Sequence, residues 1–154
     1  MEACLPDIQA INARNEQIAA EFRASGGVVG GGFAGTPVLL LHTRGARSGQ
    51  ERVNPLVYLD DGGRRIIFAS YQGAEHHPAW YFNLRAQPEL TIEVGAETLR
   101  VRAVELTGGE RDRLWRLQTE RYPRFGDYER RTSRVIPAIA LVPLPGLPST
   151  PSAQ

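Results

Sequence analysis

Val38-Leu39-Leu40-Leu41 is an unbroken apolar run that opens directly into His42-Thr43-Arg44-Gly45-Ala46-Arg47-Ser48-Gly49-Gln50-Glu51-Arg52. A short, continuous apolar run reads as a buried central strand. The run gives way to a bend rich in glycine and arginine, and then to a second β-rich segment that ends at Leu59. Gly45 and Gly49 allow positive φ and close backbone approach to a ligand. Successive turn N–H groups can converge on an anion as a nest. Arg44, Arg47 and Arg52 add non-titrating charge that grips phosphate or carboxylate in two-point fashion, and Ser48 adds a hydroxyl. The residues alone are equally compatible with a glycine-rich hairpin carrying solvated arginines.

The rest of the chain supplies partners for that strand. Arg52 to Leu59 contains Val53, Leu56, Val57 and Tyr58, and Pro55 within it argues for an edge strand, a bulge or a strand start. Asp60-Asp61-Gly62-Gly63 is a turn, and Arg65 to Ser70 is β-rich again, so these three strands suggest a meander. Glu89–Val94 and Thr98–Leu106 form a hairpin around Gly95-Ala96, and Pro137–Val142 is a last strand. Helices fall between. Pro6–Ala24 is amphipathic through Ile8, Ile11, Ile18 and Phe22, and Gly26-Gly27 ends it. It reads as a helix docked on the body of the protein or, alternatively, as one lying on a membrane surface or over a pocket. His77-Pro78 opens a short helix that Gln87-Pro88 stops. Thr107-Gly108-Gly109-Glu110 has the capping-box pattern before a helix with Leu114, Trp115 and Leu117. Tyr122-Pro123 breaks that helix and starts another.

Six short strands without long crossovers predict a mixed α+β fold: a small, largely antiparallel β-barrel with flanking helices. The expected layout is an N-terminal helix and Gly-rich linker over residues 1–36, a barrel domain over 37–143, and a Pro-, Ser- and Thr-rich disordered tail over 144–154.

Composition narrows the function. With 154 residues, one domain with its own core is expected. The formal net charge of +1 gives no field for nucleic acid. All 18 basic residues are arginine. Cys4 is the only cysteine, which excludes an intrachain disulfide and points to the cytoplasm. No apolar run reaches the ~20 residues of a membrane span, and no secretory signal pattern opens the chain. Gly30 to Gly35 matches G-x-G-x-x-G in letters but lacks the preceding strand and following helix of a dinucleotide site. His76-His77 lacks further metal ligands nearby, so no metal is expected. No Walker A motif and no G-x-S-x-G elbow is present.

Several segments together resemble one family. Thr43-x-Gly45-x-Arg47-Ser48-Gly49-x-x-Arg52-x-x-Pro55-Leu56 is similar to a signature of the deazaflavin-dependent nitroreductases. So are Ala69-Ser70 with Gly73-Ala74, His77-Pro78-x-Trp80-Tyr81-x-Asn83-Leu84, Gln87-Pro88, and the segment from Tyr122-Pro123 through Asp127-Tyr128 to Ile136-Pro137. The resemblance runs over roughly residues 16–143. It implies a split β-barrel that binds coenzyme F420, a deazaflavin with a phosphate and a poly-glutamate tail. It also implies hydride transfer to a small-molecule acceptor: a quinone, a nitroaromatic or another electron-poor compound. FMN is the alternative cofactor, since the same general barrel serves flavins, and a non-catalytic deazaflavin carrier is the alternative role.

By that resemblance the coenzyme is contacted by His42, Thr43, Arg44, Ala46, Arg47, Ser48, Gly49, Gln50, Arg52, Asn54 and Pro55. Ala69, Ser70 and Tyr71 add to these, as do His77, Pro78, Trp80, Tyr81 and Asn83, with Trp80 and Tyr81 walling the ring or, for Trp80, packing in the core. Ser70, Tyr122 and Tyr128 are the candidate catalytic donors. The chain departs from the family at three places. Ala46 replaces one of two adjacent basic residues, so that Arg44 is the alternative phosphate contact. Val57 and Phe125 stand where some members have aromatic or tyrosine side chains. Phe125 cannot donate a proton, which weakens the case for bicyclic nitro compounds but not for quinones. A monomer or homodimer is expected, cytoplasmic, with possible peripheral membrane contact through the first helix.

Overall fold

A computed structural model describes residues 8–30, 36–45, 49–70, 73 and 77–144. Its elements in chain order are α1 (Ile8–Ser25), β1 (Val38–Arg44), β2 (Glu51–Val57), β3 (Leu59–Asp61), β4 (Arg64–Phe68), α2 (Ala79–Ala86), β5 (Glu89–Val94), β6 (Glu97–Leu106), α3 (Gly108–Arg121), α4 (Arg124–Arg131) and β7 (Ala138–Pro143). All pairings are antiparallel, in the order β2-β1-β5-β6-β7-β4-β3.

The order itself forces the sheet to curl. Laid flat, seven strands would hold the outermost two nearly ~30 Å apart. Those outermost strands, β2 and β3, are separated in the chain only by Tyr58, a step of about 7 Å from Val57 to Leu59. The run expected as one strand is therefore two. Val57 pairs with Val38 of β1, Tyr58 donates its N–H to the Pro37 carbonyl, and Leu59 pairs with Ile66 of β4. The first three expected strands do not form a meander, because the chain changes partner at Tyr58. Pro55 sits in the end strand of the order, as a residue without a ladder N–H requires.

Two cores arise from period-two alternation. Leu56 of β2, Leu39 and Leu41 of β1, Ile92 of β5, Val101 of β6, Leu141 of β7 and Ile67 of β4 meet in one cluster with Trp80, Tyr81 and Leu84 of α2. Only the short α2 joins this cluster, whereas the opposite face of the strands carries α1, α3 and α4, so this is the barrel interior, and α2 plugs it. The alternate residues Val38, Leu40, Val57, Ile66, Phe68 and Ala140 face outward under α1, α3 and α4. β1 is buried on both faces, as its apolar run predicts.

α1 lies on the barrel: Ala19 and Phe22 are buried in the outer core with Ile18 beside them. The described part of its apolar stripe, Ile18 and Phe22, is spent on protein, and the expectation of membrane contact through this helix is not supported. No helix among the described residues is long and apolar enough to cross a membrane. The chain turns out of α1 at Gly26-Gly27, with Gly27 N–H returning to Phe22 O at 2.8 Å. The capping box does not form. Thr107 is the N-cap of α3 but makes no side-chain cap, and the Glu110 carboxylate is taken by Arg64 instead. The Gly-rich stretch 31–35 and the tail 145–154 lie outside the described residues.

Candidate active site

Strand direction brings the singled-out segments to one end of the barrel. β1 and β4 are separated in the order by β5, β6 and β7, so they run the same way and their C-termini share an end. The bend after β1 and the Ala69-Ser70 segment after β4 therefore lie on one rim. The seam where β2 continues into β3 brings them round towards each other.

On the described part of the bend, Gly45 N–H donates to Gln50 O at 2.8 Å and Gly49 N–H to Gly45 O at 2.9 Å. Gly49 takes φ 72°, with open space where a side chain would stand. Of the two expected glycines, Gly49 is the one seen to use its conformational freedom. The exposed Arg44 donates to Gly49 O at 3.1 Å and braces the bend. Arg52 is exposed, opposite Thr43 in the ladder, with no side-chain partner among the described residues. Ala46, Arg47 and Ser48, the centre of the expected cradle, lie outside the described residues, as does Tyr71.

His42 is not turned to this rim surface. Its Nε2 is 2.6 Å from Glu93 Oε2 and its Nδ1 is 3.0 Å from Glu51 Oε2. Arg23 of α1 binds the same Glu93 carboxylate through two nitrogens at 3.0 and 2.6 Å. Thr43 faces the interior, where Oγ1 accepts from Asn83 Nδ2 at 3.2 Å, and both residues are buried. Asn54 is half-buried opposite Leu41, and Pro55 is buried opposite Leu40.

Trp80 and Tyr81 are buried in the interior core. Tyr81 donates its hydroxyl to Glu105 Oε1 at 2.8 Å. Burial, reinforced by that bond, holds its pKa above the ordinary tyrosine value. Tyr81 and His77 line a cleft of about 340 Å³ with Glu105, Thr107, Arg111 and Pro137. Tyr122 and Tyr128 instead pack on the outer core with Val53, Val57 and Phe68. The ring of Phe125 stands 6.3 Å from Tyr122 and 5.2 Å from Tyr128. The expected ring wall of Trp80 and Tyr81 and the two candidate tyrosines thus occupy opposite faces of the sheet.

Ser70 belongs with the tyrosines. Its carbonyl accepts from Gly73 N–H at 2.9 Å. A Cβ on Gly73 would lie 2.6 Å from the Tyr128 carbonyl oxygen, so the turn after Ser70 is pressed against α4. Arg134 was not expected from the sequence, yet it fixes this junction. It donates to Ala69 O at 2.9 Å and Ser70 O at 2.8 Å, and lies 3.0 Å from His77 Nδ1. Ala69 is fully buried, and Pro78 is buried as the N-cap of α2. No periodicity marks Arg134, since its partners are backbone atoms more than sixty residues away.

The geometry is a bend flanked by the exposed Arg44 and Arg52, with the Ser70 turn pressed against α4 on the same rim. The family model described as F420H(2)-dependent quinone reductase matches residues 14–143. The chain belongs to that family. An F420H(2)-dependent quinone reductase of Mycobacterium tuberculosis (strain ATCC 25618 / H37Rv) is 39% identical over 126 residues, covering 79% of this chain and 85% of the relative. Among solved structures, an F420-H2 dependent reductase is 38% identical with TM-score 0.62, covering 68% of this chain and 93% of its own. Another, described as a domain-swapped dimer, is 32% identical with TM-score 0.64, covering 88% and 99%. The split barrel expected from the family resemblance is thus the fold of this family member, with seven strands.

Proposed function

We propose that this family member uses reduced coenzyme F420 to reduce quinones and other electron-poor acceptors, nitroaromatics among them. The observation that carries the reading is the meeting, on one rim, of Arg44, Arg52 and the open Gly49 bend with the Ser70–Tyr128 junction. These residues fit the coenzyme, because exposed guanidinium groups beside an open turn suit a phosphate and a glutamate tail. Arg44, Arg47, Ser48 and Arg52 take the acidic part. The outer face beside the half-buried Val53, Tyr122 and Tyr128 takes the flat ring, with Ser70 at its edge. Nothing in this arrangement calls for FMN.

When bound, the reduced deazaflavin supplies a hydride. The chain's own residues position and stabilise. The rim holds the acceptor and the coenzyme in contact on that face, which removes the entropic cost of their encounter and excludes water. Ser70, Tyr122 and Tyr128 offer O–H donors to the oxygen on which negative charge develops. One proton from a tyrosine hydroxyl or from water completes the two-electron reduction of a quinone to its hydroquinone. The relative described as a domain-swapped dimer favours a homodimer as the working form.

Fluorescence titration of the coenzyme tests the site. Arg52→Glu and Arg47→Glu are each expected to weaken binding at least ten-fold while leaving the urea midpoint near wild type. Unchanged affinity in both removes the rim from the account.

A further inference from the structure

The inner face of α3 carries polar atoms that no described residue satisfies. Gln118 is fully buried, and neither its Nε2 nor its Oε1 has a hydrogen-bond partner among the described residues. Trp115 is one turn earlier, and its indole Nε1 is also buried without a partner among the described residues. Buried polar atoms are almost always paired, because an unmade bond costs the full desolvation of the group. Three orphans within one turn are therefore an expensive feature, of the kind retained where a ligand completes them.

Their position is informative. Trp115, Gln118 and Tyr122 follow at steps of three and four, so they share one helix face. Trp115 and Tyr122 flank Gln118, and both touch the ring of Phe125, at 6.2 and 6.3 Å. Phe125 thus bridges the helix positions on either side of Gln118. Trp115 also meets Phe68 at 5.2 Å, the last residue of β4 and two before Ser70. The unsatisfied atoms therefore lie on the outer face assigned above to the redox reaction, in the core cluster that Tyr122 and Tyr128 pack against.

We infer that Trp115 Nε1 and the Gln118 carboxamide bind the carbonyl oxygen of the acceptor, with Phe125 moving off this face to admit its ring. The inference rests on the functional reading above. The donor set suits a quinone in both redox states. Two N–H donors face the oxygen as it gains negative charge, and Gln118 Oε1 accepts the O–H of the hydroquinone afterwards. An acceptor lacking a ring oxygen at that end leaves the orphans unpaired, so the same atoms select for quinones.

Gln118→Leu keeps the volume and removes the amide, and Trp115→Phe removes the indole N–H. Both are assayed with reduced coenzyme F420 and menadione, alongside urea midpoints. The second readout is the melting-temperature rise that menadione causes in protein loaded with oxidised coenzyme. The expected result is a loss of at least ten-fold in menadione kcat/KM and loss of the menadione-induced shift, while the Gln118→Leu urea midpoint is unchanged or higher. A merely structural role moves stability and activity down together. Wild-type kcat/KM and a wild-type shift in both variants overturn the inference and leave an internal water as the occupant. If Gln118→Leu does not fold, Gln118→Met and Trp115→Phe decide by the same criteria. Wild-type protein that does not turn menadione over contradicts the functional reading instead, and the menadione-induced shift still decides this one.

Discussion

Arg23 of α1 grips Glu93 of β5 through two nitrogens, and Glu93 in turn lies 2.6 Å from His42 of β1. One carboxylate thus ties the N-terminal helix to two barrel strands. Arg23, through those hydrogen bonds, holds the Glu93 pKa below its ordinary value, opposed by burial and aided by His42. A depressed carboxyl pKa contributes stability that is fully present above the unfolded value of about 4.3 and is lost as pH falls through the lower folded value. Because Arg23 is half exposed, solvent screening limits the pair to about 1 kcal/mol. Glu93→Gln is expected to lower the urea midpoint at pH 6–7, with the gap to wild type closing on acidification below about pH 4.3. A gap that stays constant with pH would show that the ion pair is not its source.

The turn after Ser70 depends on a residue without a side chain. Gly73 has φ 84°, and a Cβ there would meet Tyr128 O at 2.6 Å and Arg131 Cβ at 2.8 Å. Backbone strain and the backbone clash act in the same direction, each worth about 1 kcal/mol or more. Gly73→Ala is expected to lower the melting temperature and, by pushing α4 off the rim, to reduce kcat for menadione by more than ten-fold. Full activity in a destabilised variant would separate the Ser70–Tyr128 junction from catalysis.

Tyr81 holds the α2 plug in place through Glu105. Its phenol pKa is raised by burial first and by the Glu105 bond second. A raised pKa means that this contribution is present below the unfolded value of about 10 and is lost as pH rises through the folded value. In an alkaline absorbance titration, Tyr81→Phe is expected to abolish the last phenolate step. It also costs at most about 1 kcal/mol at neutral pH, the net worth of one hydrogen bond, because the exposed Glu105 carboxylate turns to water instead. Retention of the late step in the variant would assign it to another tyrosine.

Much of the fold is legible in the residues because local pattern and tertiary role agree there. The Val38–Leu41 run announces a strand buried on both faces, Gly62-Gly63 and Gly95-Ala96 announce hairpins, and Tyr122-Pro123 announces the break between α3 and α4. The change of partner at Tyr58 is not legible, since Val57, Tyr58 and Leu59 read as one strand in either pairing. Glu110 fits a capping box by spacing, but Arg64, forty-six residues away, competes for it and wins. The site divides in the same way. Ser70, Tyr122 and Tyr128 stand out as candidates in their segments, whereas Arg134 and Gln118 acquire meaning only from what the fold sets beside them. Trp80 and Tyr81 read in sequence as a cofactor wall or, for Trp80, as core, and α2 sets both in the barrel interior.

The account stands on this rim being a catalytic centre for coenzyme F420 and not a store for it. Anaerobic oxidation of reduced coenzyme F420 by menadione, followed by the recovery of the deazaflavin absorbance with substoichiometric protein, measures this directly. The account predicts many turnovers per protein molecule, at a rate proportional to protein and abolished in Arg52→Glu at limiting coenzyme. A rate no faster than the protein-free reaction, or oxidation that stops after one equivalent, would contradict it.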